Sequence, residues 1–202
     1  MPVTALFFDV GGVLLSNGWD RNTRREAAAK FGFDWDNFEE RHELVVADFE
    51  TGRIDLEEYL NRTVFHDPRP FSREDFKAYM LAQSQPYPES LKVVAEVAAR
   101  RQYLMGTLNN ESAELNTYRI RQYDLRDCFA VFFTSCYLGL RKPDVRIYRT
   151  AIGLIQREPD ECLFVDDRPL NVDGARQAGM RAIRFENAGQ LRRELAANGV
   201  TL

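Results

Sequence analysis

Apolar residues fall along this chain in two rhythms. The first is continuous: Val3-Thr-Ala-Leu-Phe-Phe8 is almost unbroken, as in a strand covered on both faces within a parallel sheet. Asp9-Val-Gly-Gly12 follows at once, an acid and two glycines placed where a central strand would end in a loop. From about Asn17 to Gln85 the rhythm changes to threes and fours, as in Phe38, Val45, Val46 and Phe49. This spacing predicts helices over Asp20–Phe31, Asp36–Glu50, Leu56–Val64 and Arg73–Ala82. Turn signals at Phe33-Asp-Trp-Asp36, Thr51-Gly-Arg53 and Asp67-Pro-Arg-Pro70 divide them.

After Pro86 and Pro88 the two rhythms alternate. Helices are predicted at Glu89–Arg100, Glu111–Tyr123, Val145–Ile155 and Leu170–Ala178. Strands are predicted at Tyr103–Leu108, Ala130–Thr134, Cys162–Val165 and Arg181–Phe185. Such alternation predicts an α/β fold, a Rossmann-like doubly wound parallel sheet carrying an inserted α-helical bundle. The expected division is an α/β core of residues 1–16 and 86–202 with a helical cap of residues 17–85.

Composition narrows the partners. Of 202 residues, 45% are hydrophobic and 29% charged, the balance of a globular chain. A net charge of −4 gives no basic surface for nucleic acid. Cys128, Cys136 and Cys162 are odd in number and lack metal-type spacing, so reduced thiols are expected. Asp9 interrupts the apolar stretch Ala5–Leu15, which argues against a membrane span, and no basic leader precedes it. The expected location is cytoplasmic, and oligomeric state leaves no signal.

Ligands of open parallel sheets bind at the carboxyl ends of the strands. There the chain places Asp9, then Thr107-Leu-Asn-Asn110, then Thr134-Ser135, then Asp166-Asp167, with Gly139-Leu-Arg-Lys-Pro-Asp144 opening a helix. An ionised acid straight after a buried strand is costly without partners, and adjacent acids repel unless a cation is near. Each group suits chemistry at phosphate. An aspartate can attack phosphorus, carboxylates can hold Mg²⁺, Thr107 can donate to phosphate oxygens, and Lys142 supplies a point charge. Arg141 reads as solvated surface. Asn109 and Asn110 read equally as substrate contacts or as caps of the following helix, and Asn171 and Asp173 as supports of a metal site or a helix-start bias. Trp19, Trp35, Phe38 and Phe49 read as packing within the helical bundle.

Phe7-Phe-Asp-Val-Gly-Gly-Val-Leu14, Thr107, Lys142 and Phe164-Val-Asp-Asp-Arg-Pro-Leu-Asn-Val-Asp-Gly-Ala175 resemble, in order, the four motifs of the haloacid dehalogenase-like hydrolase superfamily. The helical insert sits where that family's first-type cap sits. Within the superfamily the chain looks most like the glucose-1-phosphate phosphatases and the N-terminal phosphatase domain of soluble epoxide hydrolases. The resemblance implies Asp9 as nucleophile and Mg²⁺ as cofactor. Asp9, Asp167, Asp166 and the Gly11 carbonyl would be the ligands. Thr107, Leu108 N–H, Asn109 and Lys142 would bind phosphate, and Thr107 and Lys142 would share in catalysis. The substrate implied is a small phosphorylated metabolite.

One position departs from the pattern. Most phosphatases of the family carry a second aspartate two residues after the nucleophile, as general acid and base, and here Gly11 stands there. General acid–base catalysis contributes roughly 10²–10⁴-fold. Its loss points to a substrate with a good leaving group, such as a sugar 1-phosphate, or to an acid borrowed from the cap, with Asp20, Glu50 and His42 as candidates. The alternatives are a 2-haloacid dehalogenase, which needs no metal, and a binding protein whose chemistry has decayed. The paired acids Asp166-Asp167 favour the phosphatase over the dehalogenase.

Overall fold

The computed structural model describes residues 1–202. Its centre is a sheet of five parallel strands: β1 (Ala5–Phe8), β2 (Leu104–Asn109), β3 (Val131–Thr134), β4 (Cys162–Asp166) and β5 (Arg181–Arg184). Their spatial order is β3-β2-β1-β4-β5. The chain therefore builds outward from β1 to one side, then returns across it to build the other. That reversal opens a crevice beyond the carboxyl end of β1, where the ladder carries no crossover connection. Phe8 pairs with Thr107 on one side and Val165 on the other, so Asp9 emerges at this crevice.

Side chains of β1 alternate between two cores. Leu6 and Phe8 pack with α5 (Pro88–Ala99) and α10 (Ala188–Ala197), through Val93, Val94, Val97, Leu191 and Leu195. Ala5 and Phe7 pack with α8 (Val145–Ile155) and α9 (Pro169–Gln177), through Ile147, Tyr148, Ala151 and Ala175. Both faces of the sheet are covered, which is why the central strand β1 reads as a continuous apolar run. The predicted strands and helices all occur, most within one or two residues of their expected ends. Two α-helices were not predicted: α7 (Ser135–Leu138), a single turn, and α10. Helix α10 begins where Asn187 accepts from Gln190 N at 2.9 Å, and it buries Leu191 and Leu195 four residues apart.

Between β1 and α5 run α1 (Arg21–Phe31), α2 (Trp35–Glu50), α3 (Leu56–Thr63) and α4 (Arg73–Ala82). Each starts where a short polar side chain, from Asp20, Asp34, Asp55 or Ser72, accepts a backbone N–H of the first turn. They share a separate, aromatic-rich cluster that includes Trp19, Phe38, Phe49, Tyr59 and Phe76. The two segments joining this layer to the sheet lie side by side, with Ser16 N donating to Gln85 O at 2.7 Å and Tyr87 N to Leu14 O at 2.9 Å. The layer also touches the core at α3, where Leu56 N donates to Glu114 Oε1 at 3.1 Å. Glu114 belongs to α6 (Ala113–Gln122). All three cysteines are unpaired. No helix is long and apolar enough to cross a membrane.

Candidate active site

Asp9 lies at the floor of a cavity of about 580 Å³ between the strand ends and the helical layer. Its Oδ1 accepts from Val10 N at 2.8 Å and meets Lys142 Nζ at 3.0 Å, while Oδ2 has no hydrogen-bond partner. Burial drives Asp9 above the ordinary carboxylate range, with Lys142 the main opposing influence and Asp166 adding to the rise.

Lys142 is buried, although it stands before a proline at the start of a helix. Its Nζ lies 2.6 Å from Asp166 Oδ2. Asn110 fixes its backbone from both sides: Nδ2 donates to Lys142 O at 2.9 Å, and Lys142 N donates to Oδ1 at 2.8 Å. Burial alone would lower the ammonium, yet Asp9 and Asp166 outweigh it and hold Lys142 above its usual value. Asn110 therefore neither caps α6 nor stands idle. Ser112 is that cap, and Asn109 instead joins a buried network with Asn116 and Thr134.

The two adjacent acids differ. Asp166 is fully buried and occupied: it accepts from Lys142, from Arg168 N at 2.8 Å, and from Asn171 Nδ2 at 3.0 Å to each oxygen. Asn171 is itself anchored by Tyr148, whose hydroxyl donates to its carbonyl at 2.8 Å. Asp167, by contrast, has a buried Oδ1 with no partner at all. Burial raises its pKa, and Asp166 adds to this. Asp173 stays exposed, 3.6 Å from Arg176.

Oxygens of Asp9, Asp166 and Asp167 lie within 4.8 Å of one another. The Gly11 carbonyl accepts no hydrogen bond, because the adjacent turn is closed by Gly12 N to Leu15 O at 2.7 Å. An orphaned carboxylate oxygen, a free carbonyl and clustered acids form an all-oxygen donor set that fits a hard divalent cation. Gly12 lets Asp167 approach: a Cβ there would sit 2.5 Å from Asp167 Oδ2.

Donors for an anion face the same place. The N–H groups of Gly11 and Asn110 carry no hydrogen bond, and both residues line the cavity. The expected phosphate donor Thr107 does not line the cavity: it pairs with Phe8 and, two residues on from Met105, turns toward the core of α5 and α10, fully buried with a partnerless hydroxyl. Leu104 N donates to Thr4 O at 3.0 Å, so two-residue alternation turns the expected Leu108 N–H into the ladder with β1 rather than toward an anion, and Leu108 does not line the cavity.

The walls hold charge that the sequence leaves unassigned. Arg141 stays partly exposed, but it is paired and lines the cavity: its Nε lies 3.2 Å from Glu50 Oε2, and Glu50 lines the cavity too. Burial raises Glu50 above its usual range despite Arg141. Buried Arg24 is spent on Glu39, at 3.1 and 3.0 Å, and on Trp19 O at 2.9 Å. Arg168 lines the cavity with no acidic partner for its guanidinium. Trp19 both packs in the helical layer and reaches the cavity, donating to Tyr59 Oη at 2.9 Å. Tyr59 is thus left to donate its proton to His42 Nδ1, at 2.8 Å. Burial pushes His42 down to about 3, so the ring is neutral. Asp20 is occupied in capping α1.

Glu111, another acid on this cavity, carries no assignment from the sequence. Glu111 is buried and paired through Oε2 with Arg119 Nη1, while its Oε1 makes no hydrogen bond. An acid closely following the apolar run of β2 is the same signal that singled out Asp9, but Glu111 reads equally as a helix start.

Comparison with known proteins agrees with this geometry. Residues 3–179 match the family model for haloacid dehalogenase-like hydrolases. A flavin mononucleotide hydrolase of Arabidopsis thaliana is 33% identical over 80% of this chain, a match spanning 65% of that relative's length. A phosphatase of Mycobacterium tuberculosis is 29% identical over 100% of this chain and 98% of its own. In fold, the chain resembles a haloacid dehalogenase-family enzyme of Bacteroides thetaiotaomicron solved with magnesium and inorganic phosphate. That likeness has a TM-score of 0.79 at 21% identity and covers 94% of this chain and 98% of that one. The family match covers most of the sequence, and this chain belongs to the haloacid dehalogenase-like hydrolases.

Proposed function

We propose that the chain is a Mg²⁺-dependent phosphatase of a small phosphorylated metabolite, working through an aspartyl-phosphate on Asp9. The observation that carries this reading is the Asp9–Lys142–Asp166 arrangement with Asp167 beside it. A nucleophilic oxygen stands free, its neighbour is held by an ammonium, and an orphaned carboxylate waits within cation-binding distance. The third carboxylate also separates the phosphatase from a metal-free dehalogenase, in which it would have no task.

Asp9, Asp167 and the Gly11 carbonyl would hold the Mg²⁺, with Asp166 engaged in orienting Lys142. When bound, the cation offsets the negative charge of nucleophile and substrate. Asp9 Oδ2 attacks phosphorus while Lys142 and the Gly11 and Asn110 N–H groups donate to the phosphate oxygens. Phosphoryl transfer depends mainly on such positioning and charge balance. The layer of residues 17–85 serves as the cap and supplies the specificity-setting wall. Unpaired Arg168 and the neutral ring of His42 suit a polar substrate body, with sugar phosphates a leading class.

Hydrolysis of a panel of phosphate esters, with Mg²⁺, with chelator and with Asp9→Asn, tests the reading. Turnover that needs both metal and Asp9 is expected. Turnover that survives either removal, or its absence on every ester with a folded protein, would refute it.

A further inference from the structure

We infer that Glu111, held by Arg119, is the proton donor and acceptor that position 11 lacks. The inference rests on the phosphatase reading above and concerns the same cavity.

The space a side chain at Gly11 would enter is already taken. A Cβ there would lie 3.1 Å from Asn17 Oδ1 and 3.5 Å from Arg119 Nη1. That Nη1 is the group paired with Glu111 Oε2. A carboxylate on the core thus stands one guanidinium away from where an aspartate at position 11 would project. Arg119 is fixed by its remaining donors, Nε to Ser84 Oγ at 2.9 Å and Nη2 to Asn17 O at 2.7 Å. Glu111 N donates to Ser135 Oγ at 2.9 Å, which fixes its backbone. The acid is therefore held at both ends, with Oε1 free on a cavity that Asp9 and Gly11 also line.

The electrostatics fit this task. Burial pushes Glu111 up to about 7, against Arg119, with Glu50 adding to the rise and Lys142 opposing it. A carboxyl near half-protonation at neutral pH can serve in both directions. The cap candidates fit less well. His42 is neutral with Nδ1 engaged and Asp20 caps a helix, while Glu50, near Arg141 across the cap seam, has no contact with Arg119 and is the rival the test separates.

In the first step Asp9 Oδ2 bonds to phosphorus as the ester P–O bond breaks, and the departing oxygen takes the Glu111 proton. In the second, ionised Glu111 takes a proton from water as the water oxygen bonds to phosphorus. The P–O bond to Asp9 breaks, phosphate leaves, and Asp9 is again a carboxylate with Glu111 protonated.

Glu111→Gln and Glu50→Gln, assayed across esters from dinitrophenyl to alkyl and sugar phosphates, test the inference. Glu111→Gln is expected to lose roughly 10²–10⁴-fold in kcat/KM on unactivated esters. It should lose far less on dinitrophenyl phosphate, where a burst of phenolate should precede slow turnover. The fall of wild-type kcat/KM on the alkaline side should also vanish. Glu50→Gln should keep the wild-type dependence on leaving group. Equal loss on every ester, or selective loss in Glu50→Gln instead, would overturn it. If Glu111→Gln does not fold, Glu111→Asp takes its place. The shortened acid should steepen the leaving-group dependence, and an unchanged dependence would overturn the inference. A wild type without Asp9-dependent turnover would instead sink the phosphatase reading on which this rests.

Discussion

Replacing Gly12 by alanine should uncouple the stability of the fold from the chemistry of the site. Gly12 has φ +80°, and a Cβ built there lies 2.5 Å from Asp167 Oδ2 and 2.6 Å from its Cγ. Alanine in left-handed backbone costs roughly 1–2 kcal/mol. The collision adds a second effect, since the Asp167 carboxylate must retreat by about 0.5–1 Å to restore ordinary contact. A displacement of about 1 Å at a reacting centre costs on the order of 10²-fold in rate. Gly32 supplies the control, with φ +70° and nothing within 4 Å of its added Cβ. Urea unfolding should show both Gly12→Ala and Gly32→Ala destabilised by about 1–2 kcal/mol. Only Gly12→Ala should lose about 10²-fold in kcat and bind Mg²⁺ more weakly by titration calorimetry. A Gly12→Ala protein with wild-type kcat and wild-type Mg²⁺ affinity would refute the placement of Asp167 at the cation.

Asn110→Ala removes both hydrogen bonds that clamp the Lys142 backbone. It should cost about 1–3 kcal/mol in urea unfolding and lower kcat more than it raises KM, as steady-state kinetics would show. His42 gives a pH prediction. Its folded pKa is depressed to about 3 from 6.5, so its contribution is present above 6.5 and is lost as pH falls toward 3. The loss is about 1.4 kcal/mol per pH unit in that window. Thermal melts between pH 7 and pH 4 should therefore decline less steeply in His42→Asn than in wild type.

Asp9 and Asp166-Asp167 were legible because the sequence itself carries their expense: ionised groups directly after apolar strands. The alternation of rhythms made the sheet legible for the same reason, since strands covered on both faces favour near-continuous apolar runs. Lys142 was harder. Its burial depends on Asn110, thirty-two residues away in sequence, and on acids from two other strands. Arg141 was opaque because a charge paired across the seam between helical layer and core looks like surface charge along the chain, and Arg24 because its partner Glu39 lies on the next helix. Glu111 and Arg119 were missed together, as neither is informative until the turn after Asp9 closes over them. Helix α10 escaped because two buried leucines among charged and small residues make a narrow stripe.

Both tryptophans of the chain, Trp19 and Trp35, belong to the helical layer, and the sheet has none. Intrinsic fluorescence excited at the indole band is therefore an optical label for one half of the molecule, while far-ultraviolet dichroism reports both halves. Trp19 adds a finer signal, since its indole N–H is bound to Tyr59 at the cavity wall. Ligand entry should alter its emission, whereas Trp35, packed against Phe38 beneath Arg25, should stay silent. The protein thus carries a built-in spectroscopic partition, in which melting of the helical layer and filling of the cavity can each be followed without attaching a dye.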